Sequence, residues 1–226
     1  MREAHKKNTG IVLIDREKLD FYDVGGEKIY VFNFSKKLIM DMEIIDRREL
    51  ETQMYLFINY YKIHPVSLVM ILSNDLCFSL QLDDSNETNF ENEVNKFIFN
   101  LPFEEVIHKI YKQTKNHLLI AVNRDLIENF KAMFKKMGFT VQTIVPIAVT
   151  GININSIDKA AVEFILAKTN QLKDQSLIAL EQEHKEKKTE VKKVKEANRI
   201  YILLGIFTML LLFLLFLLYK QALGNP

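Results

Sequence analysis

One cysteine, Cys77, stands in the 226 residues. It lies in an apolar stretch, so no internal disulfide braces this chain, and the thiol reads as a small buried core group suited to a reducing compartment. Glycine and proline are also scarce, with 7 and 4 copies. No Gly-x-Gly-x-x-Gly and no Walker loop occurs, which leaves no phosphate cradle of those kinds, and Gly25-Gly26 reads as a hairpin turn. Charge of one sign is missing: 30 Lys and Arg face 29 Asp and Glu, for a net charge of +1. That balance gives no case for nucleic-acid binding. The histidines His5, His64, His108, His117 and His184 share no metal-ligand spacing with each other or with Cys77, so no metal site is assigned. The paired carboxylates Asp83/Asp84 and Glu104/Glu105 fall in loop or helix-start contexts where acids are expected anyway. No catalytic or cofactor-binding residue emerges, and the chain reads as a non-enzyme. The polar start, Met1 to Gly10, leads into Asp15, Arg16, Glu17 and Lys18 and offers no apolar signal-peptide core.

What the chain does have is one long apolar run. Residues 200–219 carry no charge and are mostly Leu, Ile and Phe, and about 20 such residues make a helix that crosses a bilayer core. At roughly 0.3–0.6 kcal/mol for each of about fifteen Leu, Ile or Phe, insertion gains on the order of 5–9 kcal/mol. Tyr201 and Tyr219 fall where aromatic rings meet the two interfaces. Arg199 and Ile200 open the anchor, and Lys220 closes it ahead of a short tail, 220–226. Upstream lie Lys185, Lys187, Lys188, Lys192, Lys193, Lys195 and Arg199, whereas Lys220 stands alone downstream. The positive-inside rule therefore places the large N-terminal part in the cytoplasm, on a single-pass membrane protein. The basic run would face anionic lipid headgroups.

Before the anchor, about 150 residues suffice for one folded core. Ile11 to Val24 reads as a strand with a charged middle, Lys28 to Phe34 as a second strand, and Leu38 to Ile45 as a third. Asp46 opens an Asp-x-x-Glu helix start, with Leu50, Met54, Phe57, Ile58 and Tyr61 at helical spacing. Val66–Leu72 and Leu76–Leu82 read as strands joined over Ser73-Asn74-Asp75. A short helix is expected from Phe90 to Ile98, and another after Pro102 with Val106, Ile107 and Ile110 as its stripe. His117–Val122 is a strand. Asn123 caps a helix facing inward through Ile127, Phe130, Met133, Phe134 and Met137, closed by Gly138, before a strand from Phe139 to Val145. From Ser156 the pattern turns helical and charged. Residues 156–199 are expected to form a stalk, with Glu181/Lys185 and Glu183/Lys187 pairs, and a coiled-coil homodimer through it is one option.

The order of the first unit, strands 11–24, 28–34 and 38–45, helix 47–63, strands 66–72 and 76–82, resembles the first subdomain of actin-like (ribonuclease H-like) proteins. The stretch Leu118-Leu119-Ile120-Ala121-Val122-Asn123-Arg124-Asp125-Leu126-Ile127, continuing through Met137-Gly138-Phe139-Thr140-Val141 to Ile144-Val145-Pro146, resembles the inserted subdomain of PilM- and GspL-type proteins of type IV pilus and type II secretion machines. The expected fold is thus α/β: a partial actin-like domain over 10–150, with a first subdomain at about 10–82 and a second small α/β subdomain at 90–146. The resemblance implies a membrane-anchored scaffold of an inner-membrane assembly platform, with partner subunits, and the motor ATPase as a further candidate, held by the cytoplasmic domain. It also implies a groove between subdomains that accepts a short partner peptide. Actin-like ATPases hold phosphate on a glycine-bearing hairpin after an Asp in the first strand. Here Asp15 is followed by Arg16, Glu17 and Lys18, which points to a nucleotide-free relative. The alternative is a tail-anchored membrane-traffic protein of longin and SNARE type. It would need regular apolar layers where 181–196 is densely charged.

Overall fold

The computed structural model describes residues 9–23, 27–83, 90–114, 116–152, 154 and 156–178. The chain divides into two units, 1–180 and 181–226, and all described residues belong to the first. The expected anchor, with Arg199, Ile200, Tyr201, Tyr219 and Lys220, and the Glu/Lys-rich run before it lie outside the described residues. Among the described residues, no helix is long and apolar enough to cross a membrane.

A five-stranded mixed sheet forms the centre. Its strands are β1 (Thr9–Ile14), β2 (Lys18–Asp23), β3 (Lys28–Asn33), β6 (Ser67–Leu72) and β10 (Thr140–Pro146), in the order β10-β6-β1-β2-β3. β1, β6 and β10 run parallel, and β2 and β3 complete an antiparallel meander. The central strands are covered on both faces, which is why β1 and β6 read as unbroken apolar runs rather than alternating ones. Val12, Ile14, Leu68 and Met70 pack on one face with helices α1 (Arg47–Tyr60) and α3 (Arg124–Lys136). Ile11, Leu13, Val69 and Ile71 pack on the other with Ala161, Val162 and Ile165 of α4 (Lys159–Ala167).

The helix starts read from sequence are in place. Asp46 accepts a hydrogen bond from the Glu49 amide at 3.0 Å, and Asn123 accepts one from the Asp125 amide at 2.9 Å. Each side chain satisfies one of the donors a helix start leaves open. Gly138 closes α3 at φ +89°, where any Cβ would also sit 3.3 Å from Pro65 Cγ.

Several expectations are corrected. The charged middle of 11–24 is a hairpin turn at 15–17, so that stretch is two strands. Leu38–Ile45 is not a third sheet strand but a separate small hairpin, β4 (Ile39–Met40) and β5 (Glu43–Ile44), turned by Asp41 and Met42 at φ 51° and 65°. The helix expected after Pro102 is a strand, β8 (Val106–Lys112). Ile107 and Tyr111 are four apart, a spacing that fits either period, and pairing with β9 (Asn116–Asn123) decides for the strand. The subdomain assignment of two strands is exchanged. β7 (Phe78–Asp83) pairs with β9 in a three-stranded antiparallel sheet of order β7-β9-β8, flanked by helix α2 (Phe90–Phe99), while β10 joins the central sheet beside β6.

The stalk expected from 156 is corrected over 156–178, and its remainder, 179–199, lies outside the described residues. Residues 156–178 fold back on the domain because their apolar positions have a sheet face to cover: Ile157, Ala161, Val162, Ile165, Leu172 and Leu177 are all buried. The buried carboxylate of Asp20 accepts from Lys18 Nζ at 3.1 Å and from the Ile157 amide at 3.3 Å, fixing the entry to α4. After α5 (Thr169–Asp174) the chain runs along the β10 edge, with the Leu177 amide donating to Ile144 O at 2.9 Å.

Candidate functional site

Where β4–β5, the bend before β8 and the start of α3 meet, the fold leaves a cleft of about 580 Å³ lined by Glu43, Ile44, Pro102, Phe103, Glu104, Glu105, Asn123, Arg124, Asp125 and Glu128. Asn123 organises it. Its Oδ1 caps α3, while its Nδ2 donates to Met42 O at 3.0 Å, tying the small hairpin to the helix start. Arg124 is fixed from three directions: its amide donates to Glu105 O at 3.1 Å, Nε lies 3.3 Å from Glu105 Oε2, and one terminal nitrogen lies 3.6 Å from Glu128 Oε1. Phe103 is braced edge-on by Phe78 at 5.7 Å between ring centres.

The lining therefore combines an apolar wall of Phe103, Pro102 and Ile44 with an excess of carboxylates. Glu43, Glu104, Glu105, Asp125 and Glu128 stand against Arg124. Such a site favours a ligand carrying an apolar side chain and a positive charge, since like charge would be repelled and opposite charge steered in. Glu104/Glu105 carried no functional reading in the sequence. The signal is absent there because the acids come from three separate segments that only the fold assembles.

The turn at which an actin-like protein would meet phosphate has its own wiring. Asp15 Oδ1 accepts from the Arg16 amide at 2.6 Å and from Ser73 Oγ at 3.0 Å. The carboxylate is thus turned onto its own hairpin and the end of β6, and Arg16 and Glu17 project outward as exposed side chains.

A third feature ties the two sheets together. Lys109 Nζ on β8 donates to Asp174 O and Ser176 O, both at 3.0 Å, and Tyr111 Oη donates to Gln175 O at 3.1 Å. Ser176 Oγ accepts from the Ile144 amide of β10 at 3.0 Å. Residues 174–177 therefore bridge the edge of the small sheet and the edge of the central one. Burial lowers the Lys109 ammonium below its ordinary range, with Asp174 opposing that shift, and burial raises the Tyr111 phenol. Burial pushes the neighbouring Cys77 thiol up to about 12. That cysteine packs against the core, as its sequence context implied.

Among the described residues, no group of three or more His, Cys, Asp or Glu side chains is placed to hold a metal ion. His64 is exposed, and His117 meets the Phe90 ring edge-on at 5.5 Å.

The fold and cleft define an α/β domain of two larger sheets and a small hairpin, with a concave, polar-rimmed cleft between that hairpin and the start of α3. No protein-family model matches the chain, and no curated protein matches it. Solved structures do. The chain is similar to one from a PilM-PilN type IV pilus biogenesis complex, at 13% identity and TM-score 0.47, covering 64% of this chain and 48% of that one. It is similar to the cytoplasmic domain of EpsL, an inner-membrane component of the type II secretion system of Vibrio cholerae, at 12% identity and TM-score 0.40, over 66% of this chain and 60% of that one. A Bacteroides thetaiotaomicron protein with an actin-like ATPase fold is similar at 8% identity and TM-score 0.39, over 66% and 55%. The chain thus spans roughly half to three-fifths of the length of these solved chains. At such identities the likeness concerns the backbone, and no residue role is transferred from it.

Proposed function

We propose that this chain is a non-enzymatic assembly scaffold, anchored in the inner membrane by residues 200–219, whose cytoplasmic domain holds partner subunits of a type IV pilus or type II secretion platform. The observation that carries the reading is the cleft around Arg124 and Phe103, an apolar wall inside an acidic rim where the β4–β5 hairpin, the bend before β8 and the start of α3 meet. A short partner segment bearing a cationic residue beside an apolar one fits that lining. The tail of an inner-membrane subunit is the natural source, because the anchor would hold both at the same surface. The Lys run from 185 to 199 would add lipid contact, at ~1 kcal/mol per residue near an anionic surface. The motor ATPase is a further candidate partner, and the charged run before the anchor a candidate homodimer contact.

The scaffold reading takes the domain to bind no nucleotide, since the first hairpin carries Arg16 and Glu17 and its Asp15 is engaged with Ser73. The test pairs two ligands in one thermal-unfolding experiment on the detergent-solubilised chain. Cytoplasmic-tail peptides of inner-membrane assembly subunits from the same cell should raise Tm, and the rise should vanish with Phe103→Ala. Millimolar Mg-ATP should leave Tm unchanged. A ligand at a hundredfold excess over Kd stabilises by about 2.7 kcal/mol, so binding would be visible. A reproducible ATP-induced rise, with no response to any tail peptide, refutes the proposal.

A further inference from the structure

The two edges of the central sheet are treated differently. The β10 edge is covered by residues 176–178, with the Leu177 amide donating to Ile144 O and Ser176 Oγ accepting from the Ile144 amide. The β3 edge pairs with no strand among the described residues. Its hydrogen-bonding parity follows from the Phe34 amide donating to Glu17 O at 2.7 Å. Pairs in an antiparallel ladder alternate, so Phe34, Phe32, Tyr30 and Lys28 bond inward to β2, and Ile29, Val31 and Asn33 aim their backbone N–H and C=O groups away from the sheet. The same residues expose apolar side chains: Ile29 is 41% and Val31 47% exposed. Protected edges carry an inward-pointing charge, a proline, a bulge or a covering element. The centre of β3, Ile29-Tyr30-Val31-Phe32, has none of these devices. Aromatic surface extends the patch on the opposite face, where Tyr30 packs at a tilt on Tyr61 at 4.5 Å and Tyr61 meets Tyr60 edge-on at 4.9 Å, with Tyr60 79% exposed.

We propose that β3 is a self-association edge: two copies of this chain pair their β3 strands antiparallel about a two-fold axis, with Ile29 of one opposite Val31 of the other. The register is chosen by complementarity. Only residues of equal parity can meet on one face, and the outward-bonding set contains 29, 31 and 33. Setting Ile29 against Val31 twice joins the four exposed aliphatic side chains on one face and places the two Tyr30 rings against each other on the other. Charge favours the same antiparallel arrangement. Asp23 and Glu27 stand at the entry end of the strand, with Glu27 3.7 Å from Lys159 Nζ and Lys28 exposed beside it, and exposed Lys36 and Lys37 stand just beyond its exit, so the entry-end carboxylates of each copy lie toward the partner's basic exit end. A two-fold contact of this kind is isologous and closes at two copies, giving one continuous ten-stranded sheet rather than a fibre. The inference is independent of the partner cleft, which lies at the start of α3.

The test uses the full chain in detergent, read by sedimentation and by disulfide formation. The unaltered chain should sediment as two copies, and Val31→Lys should shift it to one. Mixed Ile29→Cys and Val31→Cys chains should form linked dimers on mild oxidation, because hydrogen-bonded partners across antiparallel strands sit about 5.5 Å apart at Cα, within disulfide reach. Exposed Asp75→Cys should not link. The native Cys77, half-buried against the core, is replaced by serine in all of these chains so that it gives no background. The proposal is overturned by a single-copy unaltered chain, by a dimer that Val31→Lys leaves intact, by linking at 75 equal to that at 29 and 31, or by β3 linking in membranes to a different protein alone. Crosslinking carries the test by itself if Val31→Lys fails to fold.

Discussion

Replacing Asn123 by alanine separates two jobs that one side chain performs at the cleft. The Oδ1 atom caps α3, and loss of such a cap costs about 1 kcal/mol. The Nδ2 atom satisfies Met42 O from a buried position, and leaving that carbonyl without its donor costs a further ~1 kcal/mol. The two sum to about 2 kcal/mol, which in a unit of this size lowers Tm by roughly 4–8 °C. Asn123→Ser keeps a cap and loses the bond to Met42, so it should fall near half of that. Thermal unfolding of residues 1–180 followed by circular dichroism at the helix band gives the numbers. The serine variant also releases the β4–β5 hairpin from the wall of the cleft, so tail-peptide affinity should fall in it by more than its stability loss alone would suggest. If both variants melt within a degree of the unaltered domain, Asn123 does not organise the site and the cleft geometry has been misread.

Gly138→Ala should lower Tm by about 2–4 °C, because a left-handed backbone costs an L side chain roughly 1 kcal/mol or more and the new methyl meets Pro65 at 3.3 Å. Cys77, its thiol pushed up to about 12, should resist a thiol reagent such as DTNB at pH 8 until denaturant is added, and rapid labelling of the folded chain would show the sulfur to be accessible. Burial holds the Tyr111 proton above the ordinary 10.0 of a tyrosine. Stability should therefore be level up to about pH 10 and fall above it as the unfolded chain ionises first. Tyr111→Phe should flatten part of that alkaline loss while removing the bond to Gln175.

The elements legible in the sequence are those whose signal is local. The apolar run of β1, the Asp46 and Asn123 caps and the Gly138 closure each need only a few neighbouring residues, and each is where the residues place it. Elements decided by distant partners carry no such local signal. β8 carries Ile107 and Tyr111 at a spacing shared by helix and strand, and only β9 resolves it. β7 and β10 were correctly strands, but nothing in Leu80 or Val145 says which of two sheets will accept them. Residues 156–178 look like the beginning of a stalk because their apolar positions are spaced helically, and the sheet face they cover is built mainly from β1 and β6, far earlier in the chain. The cleft was invisible for the same reason: Glu43, Glu105 and Glu128 are unremarkable in their own segments and become an acidic rim only around Arg124.

The central claim, that the acidic cleft receives a partner's segment at the membrane, is tested most directly by placing a photo-crosslinking amino acid at position 103 in the full chain inside cells and irradiating them. The account predicts an adduct with an inner-membrane pilus or secretion subunit, linked through its cytoplasmic tail and lost when the rim charge is reversed by Glu43→Lys with Glu104→Lys. An adduct that forms equally from exposed position 75, or none at 103 while the chain still co-purifies with such a subunit, would contradict it.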